Sequence, residues 1–222
     1  VFVDIDRSTF NIDPARVKES INERTAAILA VHVFGNPCDV TELERIGKEF
    51  GIPVIFDAAH AFGVTYEGGS VFNRGDASTL SFHATKVFNT IEGGGIVSKR
   101  PELIKRVRML RNHGIMSEFE VVEPGTNAKM NEFQAAMGIC NLELLDEKIA
   151  KRKAIYERYV NGLQGSDITF QRMVCDRYNY IYMPILLRDQ AARDKAYGDL
   201  ISEQIKPRKY FYPLAIDYSY FD

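Results

Sequence analysis

The sequence is poor in the features that mark several classes of protein. Its three cysteines, Cys38, Cys140 and Cys175, are widely spaced and form no C-x-x-C pair, so neither a disulfide framework nor a zinc site is predicted. No apolar run approaches the roughly 20 residues that cross a bilayer. No charged segment followed by an apolar one opens the chain. These absences favour a protein of the reducing cytoplasm that holds no metal.

The chain also lacks an excess of charge of either sign. It carries 28 basic and 30 acidic side chains, which give no broad positive field for a nucleic-acid backbone or an anionic membrane. Its 222 residues, 45% of them hydrophobic, can bury a substantial core. We therefore expect a globular protein that acts on small molecules. An initiator methionine is missing, and the chain starts inside an apolar run, which indicates a fragment of a longer protein.

Short β-branched runs alternate with helix-patterned segments over about the first 112 residues. This alternation predicts an α/β fold with a mainly parallel sheet covered by helices. The predicted strands are 1–5, 26–34, 53–56, 79–83 and 95–98. Helices are predicted from Asp13-Pro14 to about Ile21, from Asp39 to Phe50, and over residues 102–112.

The second half of the chain follows a different pattern. Apolar residues keep helical spacing from about residue 131 to 163, which predicts one long helix. A strand at 178–187 and a helix at 189–205 follow. We therefore expect a large domain over residues 1–130, a long linking helix over 131–166, and part of a small α+β domain over 167–222.

An acidic residue closes one of the predicted buried strands. Asp57 follows Val54-Ile55-Phe56 and precedes two alanines, so its carboxylate is expected at the carboxyl end of a parallel strand, where open α/β sheets bind ligands. A carboxylate there needs a cation or several donors. The pyridinium N–H of a bound ligand would supply such a partner. A helix cap or a structural salt bridge is the alternative.

A lysine lies just after another predicted strand. Lys86 ends the polar stretch SFHATK, and the glycine run Gly93–Gly95 follows it closely. Most lysines are simply solvated, but one that is desolvated near other cations loses its proton and can form a Schiff base. The glycines lack the spacing of a nucleotide-binding loop, which favours a plain turn. His60 could stack on a ligand or cap a helix, while His32 and His83 could be core histidines.

Several motifs follow one another in order along nearly the whole chain. They are VFVDID at 1–6, NIDP at 11–14, VHVFG at 31–35, FDAAHAFG at 56–63, SFHATK at 81–86, EGGG at 92–95, RNHG at 111–114, GTNAKMNEFQAA at 125–136 and YPL at 212–214. Together they resemble the DegT/StrS family of sugar aminotransferases. The resemblance implies the aspartate aminotransferase type fold (fold type I) and the cofactor pyridoxal 5'-phosphate (PLP).

The resemblance also implies a role for each site residue. Lys86 would be the Schiff-base lysine and would move the proton during transamination, and Asp57 would pair with the ring nitrogen of PLP. His60 would lie beside the ring near its 3-hydroxyl, and Ser81 would bind the phosphate. Asn127 would reach the phosphate of a neighbouring subunit, so a homodimer with shared active sites is implied.

The implied substrates are glutamate as amino donor and a keto nucleotide sugar as acceptor, for surface polysaccharide or glycoside biosynthesis. The SFHATK form resembles members that act on 4-keto-6-deoxy sugars. A 3-keto sugar or a non-catalytic regulatory role is the alternative, and Lys86 disfavours the family's dehydratase, which carries histidine there. Two departures are visible: the family's N-terminal part and the end of its small domain are absent, so weak PLP binding by the fragment is expected, and Lys129 replaces the usual arginine.

Overall fold

Strands and helices alternate along residues 1–219, the part of the chain that the computed structural model describes. The strands are β1 Ile28–Val31, β2 Val54–Asp57, β3 Thr65–Tyr66, β4 Gly69–Ser70, β5 Ala77–Ser81, β6 Gly94–Val97, β7 Ile115–Ser117, β8 Glu120–Val121, β9 Ile168–Phe170 and β10 Ile185–Leu187. The α-helices are α1 Pro14–Ser20, α2 Val40–Phe50, α3 Pro101–Arg111, α4 Glu132–Glu143, α5 Leu145–Gly162 and α6 Gln190–Ser202. Short 3₁₀ helices lie at Val33–Gly35, Val71–Asn73 and Ala215–Asp217.

Four strands form the central sheet in the order β1-β2-β5-β6. Strands β1, β2 and β5 run parallel, and β6 is antiparallel to β5. The register places Val31, Asp57 and Thr79 side by side. Three parallel strands therefore present their carboxyl ends at the same edge of the sheet, and the predicted α/β class with a mainly parallel sheet is confirmed.

The main core lies between one face of this sheet and the helices α1 and α2. Asp39 caps α2 by accepting the N–H of Glu42, and the helix ends at Gly51, whose φ of 66° is a left-handed conformation that glycine adopts readily. Leu43 on α2 and Phe56 on β2 are fully buried in the same apolar cluster. Burial of this helix face fixes α2 against β2.

The opposite face of the sheet is open in this chain. Leu29 and Val31 on β1 and Ile96 on β6 are 63%, 38% and 42% exposed. Val31 is the register partner of Asp57, and register partners point to the same side of a sheet. Asp57 therefore belongs to the open face.

One predicted strand, at residues 1–5, is wrong. An isolated bridge joins Ile5 to Ile12 instead, because Asp6 accepts the N–H groups of Ser8 and Thr9 and turns the chain back on itself. Within residues 1–219 no strand of the sheet lies beside residues 1–5 to pair with them. The other four strands of the first half are present, with small shifts at their ends.

The predicted long helix at 131–166 is interrupted at Leu144, so that α4 and α5 are separate helices. Both helices contact the loop between β5 and β6. Gly138 on α4 lies against Thr90, where an added Cβ would be 2.9 Å from the Thr90 Cγ2 atom, whereas Ile149 on α5 packs with Val87. Helical spacing alone does not reveal the interruption at Leu144.

The last part of the chain pairs β9 with β10 in antiparallel fashion and packs α6 beside β10. Only the end of the strand predicted at 178–187 forms, as β10. The residues before β10 make side-chain hydrogen bonds to the first half of the chain instead of pairing as a strand. Tyr178 donates to the Phe34 carbonyl, and Asn179 donates to the carbonyls of His60 and Phe62.

Candidate active site

Asp57 ends β2 at the edge where the parallel strands finish. Its Oδ1 atom accepts the N–H of Ala59 at 2.9 Å, and its carbonyl accepts the N–H of His32 at 3.0 Å. Among residues 1–219 no other hydrogen bond or ion pair reaches this half-buried carboxylate. Hydrogen-bonding capacity is therefore left for a cationic partner on the open face.

Lys86 lies in the turn that follows β5, where its N–H donates to the His83 carbonyl at 2.9 Å. Its side chain is half-buried. Burial lowers the pKa of the Lys86 ammonium, and the nearby Asp57 carboxylate acts in the opposite direction. Lys86 thus lies close enough to Asp57 for the carboxylate to affect its pKa, and burial increases the fraction of neutral, nucleophilic amine.

His60 lies in the turn after β2, close to both of these groups. Its pKa is lowered to about 4, mainly by burial and in part by the Lys86 charge, while the Asp57 carboxylate opposes the shift. The imidazole is therefore neutral near pH 7. Its Nε2 atom is 3.5 Å from the Tyr182 hydroxyl, whereas its buried Nδ1 atom has no hydrogen-bond partner among residues 1–219. Because buried polar atoms are normally hydrogen-bonded, we expect a ligand or a water molecule to bind this nitrogen.

Ser81 ends β5, the neighbour of β2 in the sheet. Its Oγ atom accepts only a long hydrogen bond, 3.4 Å, from the His83 N–H, so its hydroxyl can still donate to a ligand. The glycines opposite it have a structural role, because an added Cβ at Gly94 would be 2.6 Å from the Leu80 carbonyl oxygen. Gly94 and Gly95 lie in β6 and pair with β5, so the plain turn predicted for the glycine run is wrong for these two residues.

Asn127 stands apart from the other predicted residues. It is exposed and forms an isolated bridge with Asn112. Among residues 1–219 it makes no hydrogen bond with Asp57, His60, Ser81 or Lys86. The structure thus brings four of the five predicted residues to one edge of the sheet and leaves the fifth outside that group within this chain.

The remaining histidines divide between core and surface. His32 is fully buried, stacks on Phe56 at 4.9 Å, and accepts the N–H of Cys38 on its Nδ1 atom. Burial lowers the His32 pKa to about 3, which confirms a core histidine. His83 is exposed instead, with its Nδ1 atom 2.8 Å from the Thr85 hydroxyl and its Nε2 atom 3.7 Å from a Glu92 oxygen.

An aromatic group that the sequence analysis missed lies next to His60. The Tyr182 ring meets the His60 ring edge-on at 4.9 Å. Phe34, in the left-handed conformation with φ of 59°, contacts the rings of Tyr182, Tyr210 and Phe211 at 5.4, 5.5 and 5.8 Å. The aromatic-rich stretches at 178–182 and 210–212 were the available signal, but only the fold shows that they meet at Phe34, in the 3₁₀ helix that follows β1.

The site geometry fits a pyridine-type cofactor. One edge of the sheet carries four groups that could contact such a ring. They are a carboxylate that can accept further hydrogen bonds, a half-buried lysine, a neutral histidine with an unpartnered nitrogen, and a hydroxyl that can still donate. Among residues 1–219 no group of three or more His, Cys, Asp or Glu side chains could hold a metal ion. Over the same residues, no helix has the length and apolarity needed to span a membrane.

Comparisons with known proteins agree with this geometry. The model of the DegT/DnrJ/EryC1/StrS aminotransferase family matches residues 1–222. A dTDP-4-amino-4,6-dideoxy-D-glucose transaminase of Shigella dysenteriae is 40% identical over 226 residues, which cover 98% of this chain and 60% of that protein. The chain thus spans about 60% of the length of this relative.

Solved structures are similar as well. DesI, determined in the presence of its TDP-sugar product, superposes with a TM-score of 0.90 at 33% identity over 100% of this chain and 58% of that one. A Streptococcus pneumoniae protein described as a sugar aminotransferase, solved in its PLP form, gives 0.89 at 27% identity over 99% of this chain and 63% of that one. These similarities confirm fold type I and PLP as the cofactor of the family.

Proposed function

Because the chain belongs to the DegT/DnrJ/EryC1/StrS aminotransferase family, we propose that the complete protein transfers an amino group to a keto nucleotide sugar, with Lys86 as its catalytic residue. One observation carries the proposal. Asp57 affects the pKa values of both Lys86 and His60, and Lys86 affects that of His60, so the three groups lie together at the carboxyl ends of β2 and β5, where ligands of open α/β sheets bind. The amino donor in this proposal is glutamate.

Asp57 and Ser81 would hold the two ends of the cofactor. When bound, PLP supplies an aldehyde that carries the amino group and a ring that withdraws electrons from the reacting carbon. The Asp57 carboxylate accepts the ring N–H and keeps that nitrogen protonated. The Ser81 hydroxyl, weakly engaged by His83, donates to the phosphate.

Lys86 provides the amine that attaches the cofactor and the base that moves a proton. The lowered pKa from burial leaves more of the side chain neutral at physiological pH, and only the neutral amine is a nucleophile or a base. His60 is neutral and offers its unpartnered Nδ1 atom beside the ring. Its carbonyl is fixed by Asn179 at 2.7 Å, which keeps the loop of His60 in place.

The acceptor in this proposal is a 4-keto-6-deoxy nucleotide sugar. The Shigella relative is named for a dTDP-4-amino-4,6-dideoxy sugar, and DesI was solved with a TDP-sugar product. The name of the Shigella relative supports C4 over C3 as the position of amination, and the DesI structure supports a nucleotide-linked sugar as the substrate. The amino sugar would then serve surface polysaccharide or glycoside biosynthesis in the cytoplasm.

The partner subunit in this proposal is a second copy of the chain. Phe119 and Phe133 are 92% and 86% exposed, and Asn127 lies between them in sequence on an exposed segment. Exposed aromatic side chains in such number usually mark an interface. A second copy that covers this surface would bring Asn127 and Lys129 towards the neighbouring phosphate.

The absorption spectrum of the complete protein, reconstituted with PLP, tests the proposal. The wild type is expected to show the near-visible band of lysine-bound PLP and to lose it when L-glutamate is added. Lys86→Ala should lack the band and all transamination of dTDP-4-keto-6-deoxyglucose, because no amine remains to hold the cofactor. Lys105→Ala, which removes an exposed lysine on α3, is the matched control.

Normal turnover by the Lys86→Ala protein would refute the catalytic assignment. A wild-type protein that binds PLP and does not respond to glutamate would instead favour a regulatory member of the family. A complete protein that binds no PLP would refute the proposed function altogether.

A further inference from the structure

The loop that carries Lys86 is packed against α4 and α5. We call residues 82–93, between β5 and β6, the lysine loop. Val87 on this loop packs with Ile149 on α5, and Thr90 is 2% exposed where it lies against α4. Lys86 therefore directly precedes a segment that is held by both helices.

One polar side chain, that of Asn141, joins the lysine loop to these helices. Asn141 lies on α4, and its Nδ2 atom donates to the Asn89 carbonyl at 2.9 Å. Its Oδ1 atom accepts a hydrogen bond from the Lys148 ammonium at 2.6 Å, across the interruption between α4 and α5. All three residues are half-buried. Asn141 thus links Asn89, three residues after Lys86, to the junction of the two helices.

The orientation of the Asn141 amide is fixed by its two partners. A backbone carbonyl only accepts hydrogen bonds and an ammonium group only donates them, so the amide nitrogen faces Asn89 and the amide oxygen faces Lys148. A hydrogen bond from a charged donor is stronger than one between neutral groups. Lys148 therefore holds the amide in the orientation that supports the lysine loop.

We propose that Asn141 is a positioning residue for Lys86: by holding the Asn89 carbonyl, it fixes the lysine loop and so the place from which the amine reaches the cofactor. Rates depend steeply on the geometry of the reacting groups, and a displacement of about 1 Å reduces a rate by as much as about 10²-fold. The position of Lys86 then depends on the junction of α4 and α5. This inference rests on the proposed function, since Lys86 has to be the residue that attaches PLP.

Asn141→Asp in the complete protein tests the inference. The carboxylate keeps the contact with Lys148 but has no N–H to donate to the Asn89 carbonyl, and the two facing oxygens repel each other. We expect the near-visible band of lysine-bound PLP to form about ten- to a hundredfold more slowly when PLP is added to the cofactor-free protein. Hydrogen–deuterium exchange of the lysine loop should become faster in the same variant.

Two further variants complete the test. Lys148→Met removes the ammonium that orients the amide, so it should change both measurements in the same direction by a smaller factor. Asn161→Asp makes the matched change at an exposed position of α5 and should alter neither. Where Asn141→Asp does not fold, Lys148→Met decides the inference by the same criteria.

Slower formation of the band together with faster exchange of the lysine loop supports the inference. A wild-type rate of band formation would overturn it, whatever the exchange shows. Slow band formation with unchanged exchange would overturn it too, because the effect would not act through the loop. Absence of the band from the wild-type protein is a separate result, which refutes the proposed function itself.

Discussion

Two side chains at the ends of β2 and β5 have pKa values that depend on burial and on the Asp57 carboxylate. Asp57 raises the pKa values of Lys86 and His60, and burial lowers both. The net result is a neutral imidazole and a lysine with more neutral amine, beside a carboxylate that has free capacity. The negative charge of Asp57 therefore lies where the positive charge of a pyridinium ring would balance it.

Asp57→Asn tests the role of that carboxylate. The amide cannot keep a ring nitrogen protonated, so the electron-withdrawing power of the ring falls. We expect the transamination rate of the complete protein to drop by roughly 10³-fold, while PLP is still attached through Lys86. Steady-state kinetics and the absorption spectrum together measure this. A near-normal rate would contradict the assignment, and Asp167→Asn, at an exposed position, controls for the loss of a negative charge.

Asn179→Ala tests how the loop of His60 is held. Asn179 is fully buried, and its amide donates to the carbonyls of His60 and Phe62 while its Oδ1 atom accepts the N–H of Ile181. Its removal leaves buried backbone groups unsatisfied, so we expect a loss of about 2–4 kcal/mol in the free energy of unfolding. Urea denaturation would measure it, with the exposed Asn161→Ala as control. Equal losses of unfolding free energy in the two variants would show that the Asn179 hydrogen bonds to the loop of His60 do not stabilise the fold.

Among the elements, α4 and α2 show where sequence patterns suffice and where they do not. The pattern at residues 39–51 predicts α2 with both of its ends, because the Asp39 cap and the Gly51 stop are local. The bend at Leu144 and the irregular course of 178–182 depend on contacts with Val87, Thr90 and the loop of His60. Such long-range packing leaves no periodic signal. For the same reason Asp57 and Lys86 could be proposed from motifs, whereas Tyr182 could not.

A pair of helical glycines provides a test at the scale of elements. An added Cβ at Gly138 on α4 would be 2.9 Å from the Thr90 Cγ2 atom, whereas one at Gly198 on α6 meets nothing within 4 Å. Gly198→Ala should raise the free energy of unfolding by about 0.5–1 kcal/mol through helix propensity. Gly138→Ala should lower it, since α4 must shift away from Thr90. Equal stabilisation by both changes, measured by thermal unfolding, would show that α4 is not fixed by this approach.

At the scale of the whole molecule, exposed apolar side chains lie on the hairpin of β7 and β8 and on α4. Phe119 and Phe133, at 92% and 86% exposed, belong to the surface proposed for the dimer, and Ile139 and Leu142 on other faces of α4 are 65% and 54% exposed. Asn127 is exposed on the same stretch and, among residues 1–219, does not join the other predicted site residues. In the proposed dimer Asn127 would complete the phosphate site of the partner, so assembly and cofactor binding should be linked.

Phe133→Asp in the complete protein tests that link. A carboxylate at the centre of an apolar interface would be buried without a partner, so we expect the dimer to dissociate at least a hundredfold more readily. PLP binding should weaken at the same time, because the partner's contribution to the phosphate is lost. Sedimentation velocity and PLP titration would measure both effects. The same change at Ile155 on α5, 58% exposed and outside this surface, should alter neither. A monomeric variant that keeps wild-type affinity for PLP would show that one copy holds the whole phosphate site.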